Sequence, residues 1–356
     1  MKKINIAVVG VGSFTKALVE GVAFYTKTPN EQRGLMNPLI GNYHVKDINF
    51  VAAFDVDERK VGKKLHEAIS AGPNVTLKIT DPLEYDAMVY RGPTMDSVHD
   101  AMRETFIHES KEETVDVAQI LRKTKANVVV NLVPSGGNQA THAYAEAALK
   151  AGCSFVNCIP TPLASLPEWA KKFEKAGLAL VGDDIKSQLG ATMLNRILLA
   201  FLKMRGIKIL KSEQENRGGN ADHYNLLYRA KTKEKSKREA LTKFLEEGDA
   251  KPVVKFFYTG EPSGHKRVNI VIEGEMFGRV PINITSMIED EISINGAGVL
   301  VDAIRVAQLL VDQGRQKEAW KVSPFLMKSP IKPMSDTEAF DLFKKVICKK
   351  EPVVTG

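Results

Sequence analysis

Four lysines occupy every second position of one short segment: Lys231, Lys233, Lys235 and Lys237. Several ammonium groups around one site suit an anionic ligand, and crowding lowers the pKa of a lysine, so that one of them can act as a base near neutrality. Lys233 and Lys237 are four residues apart and would share one helix face, with the other two lysines in solvent. The same pattern is also typical of a solvated basic helix that follows a loop.

A glycine turn near the start of the chain suggests a cofactor site. The apolar run Ile4 to Val9 leads into Gly10-Val11-Gly12-Ser13-Phe14, which predicts a strand, a tight turn and a helix. The first two glycines match those of the dinucleotide fingerprint, where they allow the turn and the close approach of a pyrophosphate. The third glycine is replaced by Thr15. Glycine turns after strands are also common where no ligand binds.

The second predicted strand, Ile48 to Phe54, ends in Asp55. An acid in this place can accept a hydrogen bond from an adenosine ribose hydroxyl. Asp57 and Glu58 make the surroundings acidic, which favours NAD over NADP. The alternative is that Asp55 or Asp57 caps a helix. Residues 24–47 are expected to form an inserted loop.

Strands alternate with helices up to residue 204, which predicts an α/β fold with a doubly wound parallel Rossmann-type sheet. Ligands of such sheets bind beyond the carboxyl ends of the strands. Five segments are expected at this edge: Gly10–Ser13, Asp55, Pro134–Asn138, Ile159–Thr161 and Gly182–Gln188.

A second, smaller α+β domain is predicted for residues 205–296, with a catalytic and oligomerisation role. Its expected antiparallel strands are Val253–Tyr258, Arg267–Glu273 and Val280–Met287. Residues 297–356 are expected to return to the first domain and complete it. A tight loop is predicted for Pro324–Pro330.

The composition limits the function classes. The chain has 356 residues, of which 44% are hydrophobic, and its 50 basic and 43 acidic residues give a net charge of +7. This excess suits a small anionic substrate, and because the charges are mixed along the chain, we expect no nucleic-acid partner. Three sparse cysteines favour a reducing, cytoplasmic compartment and no structural zinc site. No apolar run approaches ~20 residues, so we expect no membrane span.

Several segments in order along nearly the whole chain together resemble the myo-inositol-1-phosphate synthase family, in its shorter bacterial and archaeal form. The most specific of them are Gly182-Asp183-Asp184-Ile185-Lys186-Ser187-Gln188-Leu189-Gly190-Ala191-Thr192 and Leu326-Met327-Lys328-Ser329-Pro330. Further matches are Gly10–Gly12, Tyr43–Val45, Phe50–Asp57, Gly218–Asp222, Lys233–Lys237 and Val301–Arg305.

The resemblance implies conversion of D-glucose 6-phosphate to 1D-myo-inositol 3-phosphate by an isomerase with catalytic NAD. In such enzymes C5 of the open-chain sugar is oxidised, C6 loses a proton, the enolate attacks the C1 aldehyde, and the C5 ketone is reduced again. A homotetramer joined through the sheet of the second domain is also implied, with a sugar phosphate as the small-molecule partner.

The resemblance also assigns the site residues. The implied catalytic residues are Lys233, Lys237, Lys266, Lys328 and Asp184. The implied cofactor contacts are Gly10, Gly12, Ser13, Phe14, Asp55, Pro134, Ser135, Asp184 and Asp302. The implied substrate contacts are Ser187, Gln188, Gly190, Ala191, Thr192, Asn220, Asp222, Lys233 and Lys237. For two of these residues a purely structural role stays open: Asp184 can cap a helix, and Asp302 can pair with Arg305.

The chain departs from the family where relatives carry an aspartate linked to a metal and this sequence reads Ile292-Ser293-Ile294. A divalent metal is therefore uncertain, and Asp290 or Glu291 could replace that aspartate. The loops Val133–Asn138 and Gly260–His265 also differ. An NAD-dependent sugar-phosphate dehydrogenase, or a cyclase for a different sugar phosphate, is the alternative function. The four lysines that match the family site, Lys233, Lys237, Lys266 and Lys328, favour cyclisation, because simple hydride transfer needs one base and not several cations.

Overall fold

The structure is a computed structural model that describes residues 3–242 and 245–348, without the side chains of residues 230–240. The strands are β1 (Ile4–Val9), β2 (Leu39–Ile40), β3 (Tyr43–His44), β4 (Ile48–Asp55), β5 (Val89–Arg91), β6 (Val128–Asn131), β7 (Ser154–Asn157), β8 (Leu180–Val181), β9 (Lys208–Gly218), β10 (Val253–Tyr258), β11 (His265–Glu275) and β12 (Pro281–Glu291). The helices are α1 (Ser13–Lys27), α2 (Leu65–Ala68), α3 (Asp100–Thr105), α4 (Val117–Lys123), α5 (Asn138–Ala151), α6 (Pro167–Lys175), α7 (Ala191–Met204), α8 (Ala221–Thr242), α9 (Ile292–Asp312), α10 (Ala319–Leu326) and α11 (Asp336–Ile347).

The first domain is built on a six-stranded sheet of order β5-β4-β1-β6-β7-β8, and all of its strand pairs are parallel. This is the doubly wound order, in which strands are added on one side of β1 up to β5 and then on its other side from β6, and such folds bind ligands at this switch point between β1 and β6. The α/β fold class predicted from the sequence is therefore confirmed.

Both faces of this sheet are covered, which is why its strands are almost continuously apolar. In β1, Ile4, Ile6 and Val8 face the core that also contains α1 and α9. Ala7 and Val9 face the opposite core, which contains α4, α5 and α6. The alternation follows from the two-residue period of a strand.

The second domain is a four-stranded sheet of order β10-β9-β11-β12. β11 is antiparallel to both β9 and β12, but β10 is parallel to β9. The expectation that Val253–Tyr258 is antiparallel is thus wrong, because the chain crosses from β9 to β10 through α8, and a helical crossover returns the chain in the same direction. That this sheet joins four subunits stays a prediction.

Several element limits differ from those expected. Residues 221–225 are the first turn of α8, so the polar stretch before the lysines is helical and not a loop. α10 reaches Leu326 with Pro324 inside it, so the loop expected for Pro324–Pro330 begins only at Met327. α9 begins at Ile292 and runs across the predicted domain limit at residue 296.

Helix α9 is the core helix of the first domain. Among the described residues it is the helix that is long and apolar enough to cross a membrane, but 78% of that stretch is buried inside the protein. It packs against α1 and also contacts the sheet.

Asp302 on α9 does not reach the ligand site, which corrects its assignment as a cofactor contact. It is fully buried and forms an ion pair with Arg305, and it accepts a hydrogen bond from Asn37 Nδ2 at 2.6 Å. Arg305 also donates to the carbonyl oxygens of Asn37 (2.8 Å), Pro38 (3.1 Å) and Tyr43 (3.3 Å). The pair therefore fastens the inserted segment to α9, and the alternative role given for Asp302 is the one observed.

We predict that Asp302→Asn lowers the free energy of unfolding by about 3–5 kcal/mol, because Arg305 is left as a buried charge without its anion. Urea unfolding measures the change, and Asp341→Asn, at an exposed position of α11, is the matched control. NAD affinity of the folded variant should be unchanged. A variant that keeps wild-type stability but loses NAD affinity would show that Asp302 is a cofactor contact after all.

Candidate functional site

One cavity lies beyond the carboxyl ends of the parallel strands and continues to the second domain. Its walls include the glycine turn, the end of β4, the loops after β6 and β8, the first turns of α7 and α8, and one residue of β11. The predicted site residues that line it are Gly10, Gly12, Ser13, Phe14, Asp55, Pro134, Ser135, Asp184, Ser187, Gly190, Ala191, Thr192, Asn220, Asp222, Lys266 and Lys328.

The two glycines of the turn have different roles, since the backbone requires Gly10 and Gly12 leaves space beside it. Gly10 has a φ of +89°, and a Cβ there would lie 2.6 Å from the carbonyl oxygen of Leu132. A Cβ at Gly12 would meet nothing within 4 Å, so its absence leaves open space in front of the α1 amino terminus. Thr15, in place of a third glycine, donates its hydroxyl to the Gly10 carbonyl at 2.6 Å and so braces the turn.

Asp55 is held at the cavity edge by the backbone. Its carboxylate accepts hydrogen bonds from the amides of Val11 (2.6 Å), Val56 (2.7 Å) and Asp57 (2.9 Å). Asp57 itself pairs with Arg59 at 2.5 Å and does not line the cavity. The pocket is therefore less acidic than the sequence indicated, because the charge of Asp57 is neutralised outside it.

These features fit the adenosine and pyrophosphate half of NAD. The space over Gly12 admits a phosphate close to the backbone, the first-turn amides of α1 have no partner within the helix, and Asp55 lies at the end of the adjacent strand. The assignment of individual cofactor contacts stays a prediction.

Asp183 fixes the loop that carries the next site residue. Its carboxylate is fully buried and accepts hydrogen bonds from the amides of Leu163 (2.9 Å), Ala164 (3.0 Å) and Ser165 (3.0 Å), and from Asn157 Nδ2 (2.8 Å). The loops that follow β7 and β8 are thereby locked together.

Asp184 sits next to this anchor in a strained conformation. Its φ is +63°, a left-handed value that costs a residue other than glycine of order 1–3 kcal/mol and that clusters at functional sites. Its amide donates to the Ile159 carbonyl at 3.0 Å, and its carbonyl accepts from the Lys328 amide at 2.7 Å. The Lys328 Nζ lies 2.7 Å from the Asp184 carboxylate. Two loops that are 144 residues apart in sequence thus place a charged pair at the cavity wall.

The amino terminus of α7 forms an open anion site. Gly190 is the residue before the helix and supplies no side-chain cap, so the first amides of α7 need another partner. Gly190, Ala191 and Thr192 line the cavity there, together with Ser187. A phosphate group would find donors at this helix end.

Gln188 does not line the cavity, which corrects its assignment as a substrate contact. Its side chain donates to the Gly34 carbonyl at 2.6 Å and its amide donates to the Asn295 carbonyl at 3.1 Å. The side chain of Gln188 therefore joins the loop before α7 to the inserted segment, and its backbone amide joins that loop to α9.

Lys266 of β11 brings the second domain into the site. Its side chain is 7% exposed, and its Nζ lies 3.8 Å from the Asp290 carboxylate on β12.

Asp290 is also bonded to Asn295, and Glu291 accepts hydrogen bonds from Thr76 Oγ1 (3.2 Å) and from the Leu77 amide (3.4 Å). Within the described residues, no three His, Cys, Asp or Glu side chains are grouped to hold a metal ion. The structure thus gives no support for a metal at Asp290 or Glu291, and their replacement of the family aspartate stays a prediction.

The first turn of α8 is tied to the loop after β6. Ser135 Oγ donates to Asp222 at 3.3 Å, and Asn225 Nδ2 donates to the Ser135 carbonyl at 2.9 Å. Asn220 caps this turn by accepting from the His223 amide at 2.9 Å. The side chains of Lys231, Lys233, Lys235 and Lys237 lie outside the described residues, so the role of that lysine series stays a prediction.

Comparison with known proteins decides the family. A sequence model of the family described as "Myo-inositol-1-phosphate synthase" matches residues 190–291. The inositol-3-phosphate synthase of Corynebacterium glutamicum is 42% identical over 349 residues, which cover 94% of this chain and 96% of that protein. The chain belongs to the myo-inositol-1-phosphate synthase family.

Solved structures agree with the fold of this family. The crystal structure of a protein named Ari2 is 31% identical, has a TM-score of 0.79, and matches 97% of this chain and 98% of its own. A myo-inositol-1-phosphate synthase-related protein from Thermotoga maritima has the same fold with a TM-score of 0.79 at 23% identity, covering 98% of this chain and all of that one. The family expected from the sequence is confirmed.

The structure adds two cations that the sequence argument left out of this family site. Lys186 and Arg196 are buried, and both line the cavity. Lys186 Nζ donates to the Pro324 carbonyl at 2.7 Å and to Asp336 at 3.0 Å, and Arg196 Nε lies 2.9 Å from the same carboxylate. The position of Arg196 in an otherwise apolar helix could have indicated a buried, functional cation. Nothing in the sequence links Lys186 or Arg196 to Asp336.

Burial lowers the pKa of Lys186 to about 8, against the attraction of Asp336. In the unfolded chain a lysine has a pKa of about 10.4. Between these two values the unfolded state binds more protons at this site than the folded state, so stability rises with pH.

We therefore predict that the unfolding free energy of the wild type increases relative to that of Lys186→Met as pH rises from about 8 to about 10. Paired urea titrations across this range measure the difference. Lys171→Met, at an exposed position of α6, should keep a constant difference from the wild type. A difference that is flat or that falls with pH would show that Lys186 keeps its proton when folded.

Proposed function

We propose that this protein is an inositol-3-phosphate synthase that converts D-glucose 6-phosphate to 1D-myo-inositol 3-phosphate with NAD as a catalytic cofactor. The observation that carries the proposal is the placement of the Asp184–Lys328 pair, Lys266 and the α7 amino terminus around one cavity that also contains the glycine turn. Family membership, with 42% identity to a curated synthase over nearly the whole chain, supports the same reaction.

The cofactor would be held by the glycine turn, the first turn of α1 and Asp55. When bound, NAD supplies an acceptor for one hydride from C5 of the sugar and a donor for its return. The residues on the loops after β6 and β8 would then orient the sugar between the cofactor and the second domain.

The substrate phosphate is assigned to the amino terminus of α7. Its amides and the hydroxyls of Ser187 and Thr192 are donors for a phosphate dianion, and Lys266 adds a positive charge from β11. Binding the phosphate from both domains would fix the sugar chain across the cavity and favour the bent conformation that ring closure needs.

Lys328 is assigned to the oxygen that becomes negative during enolisation and ring closure. A donor that is already in place for this charge stabilises the transition state, and a fixed ammonium group needs no rearrangement during the reaction. Asp184 holds that ammonium group at 2.7 Å. The proton leaving C6 needs a base, and Lys233 and Lys237, whose side chains lie outside the described residues, remain the proposed bases on the strength of the family pattern.

The proposal is tested by incubating the protein with glucose 6-phosphate and NAD+, while absorbance reports NADH and phosphate release after periodate reports inositol phosphate. We expect inositol phosphate to accumulate over many turnovers without net NADH, because the hydride is returned to the same sugar. NADH formed in proportion to the sugar consumed would contradict the proposal and indicate a sugar-phosphate dehydrogenase. Omitting NAD+ from protein freed of bound nucleotide is the control.

A further inference from the structure

Lys60 is a buried cation at the cavity wall, separate from the residues proposed to bind NAD and the sugar phosphate. It lies five residues after Asp55, it is 2% exposed, and it lines the cavity. Its Nζ has one hydrogen-bond partner among the described residues, the Asn74 side-chain oxygen at 3.3 Å.

Lys60 forms no direct ion pair with any described carboxylate, although the buried Asp57 lies within electrostatic range of it. Among the side chains that the structure describes, which exclude those of residues 230–240, no carboxylate lies within 4.0 Å of its ammonium group, whereas lysines are almost never fully buried without a charged partner. The two nearby acids are engaged elsewhere: Asp57 pairs with Arg59 and Asp55 accepts from three backbone amides. A neutral amide oxygen at 3.3 Å compensates little of the desolvation of an ammonium group.

The ammonium group is linked to the glycine turn through a fixed neighbour, Asn74. Asn74 Nδ2 donates to the carbonyls of Val11 (3.1 Å) and Ile69 (2.9 Å), which orients its oxygen toward Lys60. Val11 belongs to the turn itself, and its amide is bonded to Asp55. Lys60, Asn74 and the turn are therefore one connected unit on the side of the cavity where a pyrophosphate would approach.

We propose that Lys60 is a further cofactor-binding residue that supplies the positive charge for the pyrophosphate of the dinucleotide. The inference rests on the proposed use of NAD. It explains why the protein tolerates a buried cation without a direct ion pair, since the bound phosphates would be its close counter-ion. Asp55 lies at the ribose end and disfavours a 2′-phosphate there, so the geometry favours the pyrophosphate over an NADP-specific contact.

The test is calorimetric binding of NAD+, NADP+, ADP and adenosine to the full chain as wild type, Lys60→Met and Lys60→Arg. We expect Lys60→Met to lose at least tenfold in affinity for NAD+ and ADP, with adenosine unchanged, and Lys60→Arg to restore most of the loss. Lys63→Met, which removes an exposed lysine three residues further on, should bind every ligand as the wild type does.

Thermal unfolding gives a second readout that a folding defect would not mimic. Without ligand, Lys60→Met should melt at or above the wild-type temperature, because a buried charge without a direct ion pair has been removed, while its shift on adding NAD+ should shrink. Equal NAD+ affinity in both proteins, an equal loss for adenosine, or a larger loss for NADP+ than for NAD+ would each overturn the assignment. A wild type that binds no NAD+ would instead refute the proposed function.

Discussion

The buried carboxylate of Asp183 is the constraint on which the site depends. A fully desolvated carboxylate is costly unless its oxygens are bonded, and here backbone amides of the loop after β7 and the side chain of Asn157, the last residue of β7, donate to them. The adjacent Asp184 is consequently fixed at a φ of +63° and directed toward the cavity. The Met327–Pro330 loop then pairs with it through the backbone, which delivers Lys328 to the same place.

The cavity gathers cations from distant parts of the chain, and carboxylates keep them there. Asp184 holds Lys328, Asp290 lies beside Lys266, and Asp336 holds Lys186 together with Arg196. Such pairs are oriented before the substrate arrives, so the protein need not rearrange to stabilise developing negative charge. The group around Asp336 contains two cations, Lys186 and Arg196, and only one anion. Its net positive charge makes the region near the α7 amino terminus favourable to a phosphate.

The sequence predicts the fold class and the family well because both depend on local patterns. Alternating strands and helices fix a parallel sheet, and the Gly182–Thr192 segment is specific enough to identify the family. The glycine turn and Asp55 were also found, since the strand, the turn and the acid are local features. The parallel placement of β10 was missed, because the direction of a strand depends on its crossover and not on its own residues.

The errors at the site have a common physical cause. Asp302 and Gln188 have polar side chains in family segments, but tertiary partners far along the chain use their hydrogen bonds: Arg305 with Asn37 in one case, and Gly34 in the other. Lys186 and Arg196 were left out because their common partner, Asp336, lies at the start of α11. Sequence patterns locate polar residues, but only the packed structure shows which of them still face a ligand.

A double-mutant cycle on Asp184 and Lys328 tests the central claim that these two residues act as one unit at the reacting sugar. The measurement is kcat/KM for inositol phosphate formation by Asp184→Asn, Lys328→Gln and the double variant. We predict that the double variant is about as slow as the slower single variant, because each single change already breaks the pair. Losses that multiply, or a Lys328→Gln variant with wild-type turnover, would contradict this account of the site.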